Sequence, residues 1–549
     1  MSDRPLRLWP VTLLLLLLPL WGVGLFGRWY YTPDEPREAD IAWNMAQHPG
    51  AVPMMAGVPF CEKPPLAYWA SGGTMALLGK QPAAARLPNL LWALITVLAI
   101  AMVAYSCAGP AAAVVTGLAA GTFVQSYQVA IWLASDAPLV AGVALAFLGA
   151  YRGLLSTTSR QRLLWYSTMH LGLVLGFLAK NIVAWVFPGL ALFAFIAWEQ
   201  RWRELLRWEL YVGLLLQAAI LVPWVLAVQA QPDGQHFLRI FFWDNLVGRF
   251  LPVASEANYK DGHRNWPGKY LAELTWYLAP WTFLVIAALR RAWHGVQRGD
   301  PDRMGWRWAA CIVVPSVALL SVSSTARNIY IAPVLPGFAL ALGIWAARHL
   351  AEPDRFERIC LWATAGLLAL LGLACGPAVL VLGGIDGTGM SLPTQLAVIV
   401  GGLASGALAV KMLWLQRRGL GPAMLFTAML ILDVVLLVAW RGVFPVFDRW
   451  KNETPVMARV AAVAAEHPVA LWQPDETVRS NLDYLVDVRL PILLTRDQLD
   501  QALLKDPHTL VLVRQRGGEA DGLVAAGLSV RETLEIPHGR TYALYGKSP

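Results

Sequence analysis

The stretch Glu62-Lys63-Pro64-Pro65-Leu66-Ala67-Tyr68-Trp69 sets an ion pair of neighbours against two prolines and then turns apolar and aromatic. Upstream, Asp34-Glu35-Pro36-Arg37-Glu38-Ala39-Asp40 is again charged, with a proline inside it. Proline fixes its own φ and restricts the residue before it, so neither stretch is built as a loose loop. The chain around them is of another kind. Of 549 residues, 57% are apolar and only 15% charged, and the mean hydropathy is +0.50. Soluble proteins have about 25% charged residues. One large soluble enzyme and a disordered chain are both excluded.

The two stretches are flanked by apolar runs of spanning length. About thirteen are read, at 8–27, 87–107, 110–132, 137–155, 163–180, 182–198, 210–230, 271–290, 306–324, 328–347, 359–383, 394–415 and 422–444. The first run has no small-residue cleavage site after it. It is followed by Arg28-Trp29-Tyr30-Tyr31, an aromatic anchor, and is expected to stay as a helix. The 26 tryptophans suit many membrane–water boundaries.

Charge divides the chain near Pro445. Residues 1–445 carry 32 basic and 22 acidic side chains, whereas residues 446–549 carry 12 and 14 in a much shorter length. The expected domains are a membrane domain, 1–445, and an α/β domain, 446–549. Lys and Arg placement predicts orientation. With Arg4 and Arg7 inside, thirteen crossings put the short basic loops 152–162, 201–207, 290–307, 348–358 and 411–418 on the cytoplasmic side. The loops 28–86 and 231–270 and the C-terminal domain then fall outside. That domain is expected to alternate helix (454–466, 495–504) and strand (469–472, 509–513, 529–536, 541–545), as a lid or interaction module.

Candidate chemistry gathers on the outer side. In the first loop, residues 38–47 can form a helix at the interface with Ile41, Ala42 and Met45 on one face. Asp136 sits at the outer end of a helix hairpin, either as a cap ahead of Pro138 or as a functional acid with a partner nearby. Lys180 ends another helix, either snorkelling or functional. The loop 231–270 interleaves Arg249, His263, Arg264 and other charges with Trp243, Tyr259 and Trp266, a composition suited to phosphate at a membrane surface. Arg327 and Tyr330 lie in a late outer turn. The five cysteines form no CxxC pair, and no phosphate-binding loop or Rossmann glycine pattern occurs. A nucleotide cofactor and a nucleic-acid partner are not expected. Acids and cations above an apolar bundle suit an enzyme acting on a lipid-linked, phosphate-bearing substrate.

These residues resemble the GT-C-fold glycosyltransferases that use polyprenyl-phosphate sugars, and among them the lipid A 4-amino-4-deoxy-L-arabinose transferases, related to the protein O-mannosyltransferases. The resemblance lies in Asp34-Glu35-Pro36-Arg37, in Glu62 to Trp69, and in Gly176-Phe177-Leu178-Ala179-Lys180. It continues in Pro223-Trp224, His263-Arg264 and Tyr330-Ile331-Ala332-Pro333. Two departures stand out. The Lys-Gly that usually follows the fifth helix is Lys180-Asn181, and the Lys-Arg-type pair before the late Tyr is Ala326-Arg327-Asn328.

The resemblance implies a polytopic helical protein of the bacterial inner membrane, acting as a monomer among membrane lipids. Its donor would be an undecaprenyl-phosphate sugar and its acceptor a lipid A phosphate, a change that confers resistance to cationic peptides and polymyxin. Asp34, Asp136, Glu62 and Lys63 are then the catalytic candidates. Lys63, Lys180, Arg249, Arg264, Arg327 and Tyr330 are candidates for the donor phosphate. A divalent metal, zinc or magnesium, would fall to Glu62 and His263. The alternatives are a protein O-mannosyltransferase-like enzyme acting on Ser or Thr, a transporter of lipid-linked sugar, and a non-catalytic scaffold. No inverted repeat supports the transporter.

Overall fold

The computed structural model describes residues 8–31, 33–244, 266, 268–297, 299–322, 327–385, 390–515, 520–536 and 539–547. Arg4 and Arg7, on which the predicted orientation partly rests, lie outside them. Two compact units emerge. One comprises residues 1–26, 61–67 and 86–442, and the other residues 27–60, 68–85 and 443–549. Most of the first outer loop thus packs with the C-terminal residues, a grouping that charge composition alone does not reveal.

The first unit is helical, and the protein is a multi-pass membrane protein. Among the described residues, ten helices are long and apolar enough to cross a bilayer, or eleven if a pair bent by 119°, Lys269–Tyr277 with Thr282–Gly295, is taken as one span. That pair covers the run expected at 271–290. The run Pro82–Thr122 holds 41 residues and departs from helical geometry at Ala108 and Gly109. A straight helix of that length would measure about 60 Å, twice the hydrocarbon thickness of about 30 Å. Gly109 supplies the break with φ +80°, a conformation open to a residue without Cβ. The segment expected at 110–132 ends at Thr122 and resumes as a separate helix, Val124–Ile131, and the segment at 182–198 is a helix of only 16 residues, Val183–Trp198.

One hairpin positions the site. Helices Asp136–Leu155 and Ser159–Lys180 are joined by a turn in which the Thr158 side chain accepts from the Gln161 amide at 3.3 Å. They approach backbone to backbone. A Cβ on Gly142 would fall on the Gly172 carbonyl, and one on Gly172 would fall on the Gly142 carbonyl. Small residues at such crossings are how membrane helices gain packing without a hydrophobic driving force. The hairpin brings Asp136, at its start, beside Lys180, at its end.

In the second unit, the C-terminal residues form a five-stranded sheet in the order Ile492–Leu493, Val469–Trp472, Leu510–Arg514, Thr541–Lys547, Leu528–Glu535. The first three strands run parallel, and the last two join antiparallel. Alternation sorts its side chains by face. Leu471, Leu512 and Leu544 meet Val456, Met457 and Val460 of helix Thr454–Glu466. Ala470, Trp472, Val511, Val513 and Tyr545 meet Leu499 and Leu503 of helix Arg496–Lys505. Helix Glu476–Val486 and strand Ile492–Leu493 were not expected from sequence.

The interfacial helix runs over Asp34–Gln47, beginning four residues before its predicted start. Its apolar face does not rest on the interface as expected. Ile41 and Met45 are buried against Met55, Phe60 and Tyr68, next to the small hairpin Met54–Met55/Val58–Pro59.

Candidate active site

In the first unit, three of the candidate residues come together. Lys180 Nζ lies 2.5 Å from Asp136 Oδ1, with both side chains largely shielded from water. The same ammonium sits 4.8 Å from the centroid of the Tyr330 ring. Ser135, not Asp136, stands at the cap position; Asp136 opens the first helical turn and has in Lys180 the nearby partner that a functional acid would need. Tyr330 belongs to a short 3-10 turn, Asn328–Val334. The preceding Arg327 is exposed, and its carbonyl accepts from Tyr270 Oη at 2.7 Å and from the Tyr330 amide at 3.0 Å. The late turn is therefore tied down while the Arg327 side chain faces outward.

Glu62 and Lys63 are half-buried in a bend of the same unit, followed by the buried Pro64 and Pro65. Burial pushes the neighbouring Cys61 thiol up to about 12, which removes it as a nucleophile at neutral pH. Arg249, His263 and Arg264 lie outside the described residues. Among the described residues, no group of three His, Cys, Asp or Glu side chains is placed to hold a metal ion.

In the second unit, Asp34 opens the interfacial helix with its carboxylate partly exposed, 3.5 Å from Arg37 Nη2. Its neighbour Glu35 is fully buried and receives two hydrogen bonds from the guanidinium of Arg28, which is stacked over Tyr31 at 4.6 Å. Glu35 also accepts from the Tyr31 amide at 2.9 Å. Arg37 reaches Glu38 at 3.0 Å and Glu476 at 2.6 Å, and Glu38 accepts from Tyr68 Oη at 2.9 Å. These contacts raise Arg37 well above its ordinary value despite the opposing effect of its burial, so it stays a cation. Of the acids in the first motif, Asp34 alone stays partly exposed; Glu35, Glu38 and Asp40 are buried.

Sequence reading missed Arg28, Glu38, Asp40, Glu476, Asp483 and Arg489. Asp40 accepts from the Ala56 amide at 2.8 Å and from Asn44 at 2.9 Å, while Asn44 also reaches Asp483 at 3.3 Å. Arg489 holds Asp483 at 2.7 and 3.0 Å and Asn44 at 3.2 Å. The links from Arg37 to Glu476 and from Asn44 to Asp483 and Arg489 span more than four hundred residues, so no local spacing reveals them, whereas Arg28 and Glu35 are only seven residues apart.

Known proteins are similar to the chain in sequence and in fold. A family model described as dolichyl-phosphate-mannose-protein mannosyltransferase matches residues 62–226, beginning at Glu62. An undecaprenyl phosphate-alpha-4-amino-4-deoxy-L-arabinose arabinosyl transferase of Pseudomonas paraeruginosa is 29% identical over 342 residues, 62% of this chain and 58% of that protein. The chain thus matches less than two thirds of the length of that relative. One of the same name from Edwardsiella ictaluri is 29% identical over 411 residues, 73% of this chain and 70% of its own length. The crystal structure of ArnT from Cupriavidus metallidurans bound to undecaprenyl phosphate superposes with a TM-score of 0.73 at 20% identity, covering 98% of both chains. The chain therefore has the GT-C fold expected of it, and its sequence resembles the undecaprenyl phosphate-aminoarabinose arabinosyl transferases.

Proposed function

We propose that the protein is a glycosyltransferase that moves 4-amino-4-deoxy-L-arabinose from undecaprenyl phosphate to a phosphate of lipid A, at the periplasmic face of a bacterial inner membrane. The observation that carries the reading is the cluster of Asp136, Lys180 and Tyr330 at one end of the helix hairpin, in a chain that also holds Glu62-Lys63-Pro64-Pro65. A phosphate leaving group gains negative charge as the sugar–oxygen bond breaks. Fixed cations in a shielded site stabilise that charge more than mobile ones in water. An ammonium has three N–H donors, so the pairing of Lys180 with Asp136 orients it without exhausting it.

In this reading an acceptor phosphate oxygen attacks the anomeric carbon, the bond from that carbon to the donor phosphate oxygen breaks, and undecaprenyl phosphate leaves with the electron pair. The anomeric centre inverts. A phosphate with a second pKa of about 6 is already anionic, so it needs no general base. Asp34 then positions the acceptor or holds the amine of the sugar. Lys63, Arg249, Arg264, Arg327 and Tyr330 share the donor phosphate with Lys180. A divalent metal on Glu62 and His263 is part of the reading only as an added charge, because two ligands do not make a site. Turnover that survives exhaustive chelation removes it.

Charge modification of lipid A would lower binding of cationic peptides and polymyxin. Mass spectrometry of lipid A from cells with and without the protein tests the reading; an unchanged spectrum under inducing conditions sinks it. The second reading, transfer to Ser or Thr hydroxyls, is favoured by the family model that matches residues 62–226. There Asp34 would act as general base, and glycopeptides would appear in place of modified lipid A. The basic short loops support a cytoplasmic N-terminus and a periplasmic C-terminus. A reporter active only in the cytoplasm, fused after Pro549, is expected to be silent.

A further inference from the structure

Lys180 is held to Asp136 at the last residue of its helix, where a helix ordinarily frays. The next residue, Asn181, has φ +66° and ψ −158°, a conformation that glycine adopts freely and other residues rarely. Its backbone amide closes the helix on the Phe177 carbonyl at 2.7 Å. Its side chain is used at both ends. Asn181 Oδ1 accepts from the Ile182 amide at 2.8 Å, and Nδ2 donates to the Phe241 carbonyl. The amide orientation is fixed by its partners, since an N–H must meet oxygen and a carbonyl must meet nitrogen. Phe241 and the adjoining Phe242 are themselves anchored: Phe241 lies 5.5 Å from the Trp224 ring and Phe242 lies 6.0 Å from the Phe177 ring, on the turn that ends at Lys180.

We infer that Asn181 is a positioning residue: its side chain clamps the last turn of the hairpin to the segment Ile240–Asp244, and thereby sets the Lys180 ammonium over Tyr330 and beside Asp136 for the phosphate of a lipid-linked donor. This rests on the function proposed above. If the position served only to turn the backbone, glycine would serve as well or better, since it adopts φ near +66° without strain. If the side chain matters, glycine keeps the turn and loses the clamp.

Asn181→Gly and Asn181→Asp separate these cases. Aspartate can still accept from Ile182, but it sets an oxygen against the Phe241 carbonyl. Both variants are expected to fold, with a thermal midpoint lowered by no more than the loss of one hydrogen bond worth about 1 kcal/mol, and to raise the KM for the lipid-linked sugar about fivefold. The kcat is expected to fall as well, because a displaced Lys180 ammonium stabilises less well the charge that grows on the leaving phosphate. The Kd for undecaprenyl phosphate alone, which needs no turnover, is expected to rise in parallel. A glycine variant with wild-type KM and Kd overturns the inference. If the wild-type protein fails to transfer aminoarabinose, the proposed reaction falls, and the Kd comparison with undecaprenyl phosphate still decides the role of Asn181.

Discussion

Arg28 and Glu35, seven residues apart, are joined by two guanidinium–carboxylate hydrogen bonds with both side chains closed off from water. The pair fixes the chain immediately before Asp34. Deleting one partner of a buried pair leaves an uncompensated charge and costs about 3–5 kcal/mol. Arg28→Ala is therefore expected to lower the thermal midpoint of the detergent-purified protein markedly. Arg28→Met combined with Glu35→Gln, which leaves an acceptor for the Tyr31 amide, is expected to recover more than half of the loss. An Arg28→Ala protein as stable as wild type shows that the pair does not hold this segment.

Asp34 is left partly exposed by the same arrangement. Asp34→Asn keeps the shape and removes the charge. The variant is expected to fold normally and to lose most of its turnover; a loss of about 10²–10⁴ is the range for a general base and would favour the reading in which the acceptor is a hydroxyl. Near wild-type turnover in a purified assay removes Asp34 from the reaction.

The network around Asp40 makes stability depend on pH. Burial, reinforced by the neighbouring carboxylate of Asp483, raises Asp40 well above its ordinary value, against the lowering effects of the Ala56 amide and of Arg489. Asp483 itself is lowered, because its hydrogen bonds to Arg489 and Asn44 outweigh its burial. An acid whose folded pKa lies above its unfolded value favours the folded state below about pH 4, and that contribution is lost as pH rises through the folded value. The wild-type midpoint is thus expected to carry a component that falls as pH rises above about 4. Asp40→Asn is expected to flatten that component, whatever it costs in hydrogen bonds at any one pH. A parallel profile for variant and wild type contradicts this.

These networks mark the limit of what the sequence carries. The helical runs were legible because about twenty apolar residues cannot hide their length, and the break at Ala108–Gly109 falls where two runs were separated. Asp136 and Lys180 were legible as isolated charges at membrane depth. Their pairing was not, because it follows from the close crossing at Gly142 and Gly172. Helix Glu476–Val486 was missed because its half-polar sequence shows its apolar side only once Val478 and Leu482 are seen against the sheet. The partners of Glu38 and Asp40 were not legible because Tyr68 and Ala56 lie on neighbouring segments of the loop, and the partner of Arg37 was not because Glu476 lies in the distant C-terminal residues.

The Asp136–Lys180 pair permits a test by exchange. Lys180→Ala is expected to abolish turnover and to destabilise the hairpin end, since it strands the Asp136 carboxylate. Asp136→Asn leaves Lys180 charged and is expected to retain the fold while weakening donor binding, because the ammonium loses its orienting partner. Measured KM and kcat for the lipid-linked sugar check both. Equal, full activity in the two variants shows that the pair is structural only.

Lys63 gives the sharpest separation of chemistry from packing. It is half-buried in the bend between Cys61 and the prolines 64 and 65, so its backbone direction is restricted. Lysine binds phosphate as a point charge, and arginine binds it as a planar fork on a longer, stiffer head. If Lys63 meets the donor phosphate, Lys63→Ala abolishes transfer and donor binding, while Lys63→Arg keeps part of both. If it serves only as one half of a surface ion pair, worth about 0–1 kcal/mol, both variants turn over nearly as wild type. The deciding measurement is donor binding and turnover for the two variants at matched thermal midpoints. Normal binding by a folded Lys63→Ala protein transfers the phosphate role to the remaining cations, with Lys180 the first to test.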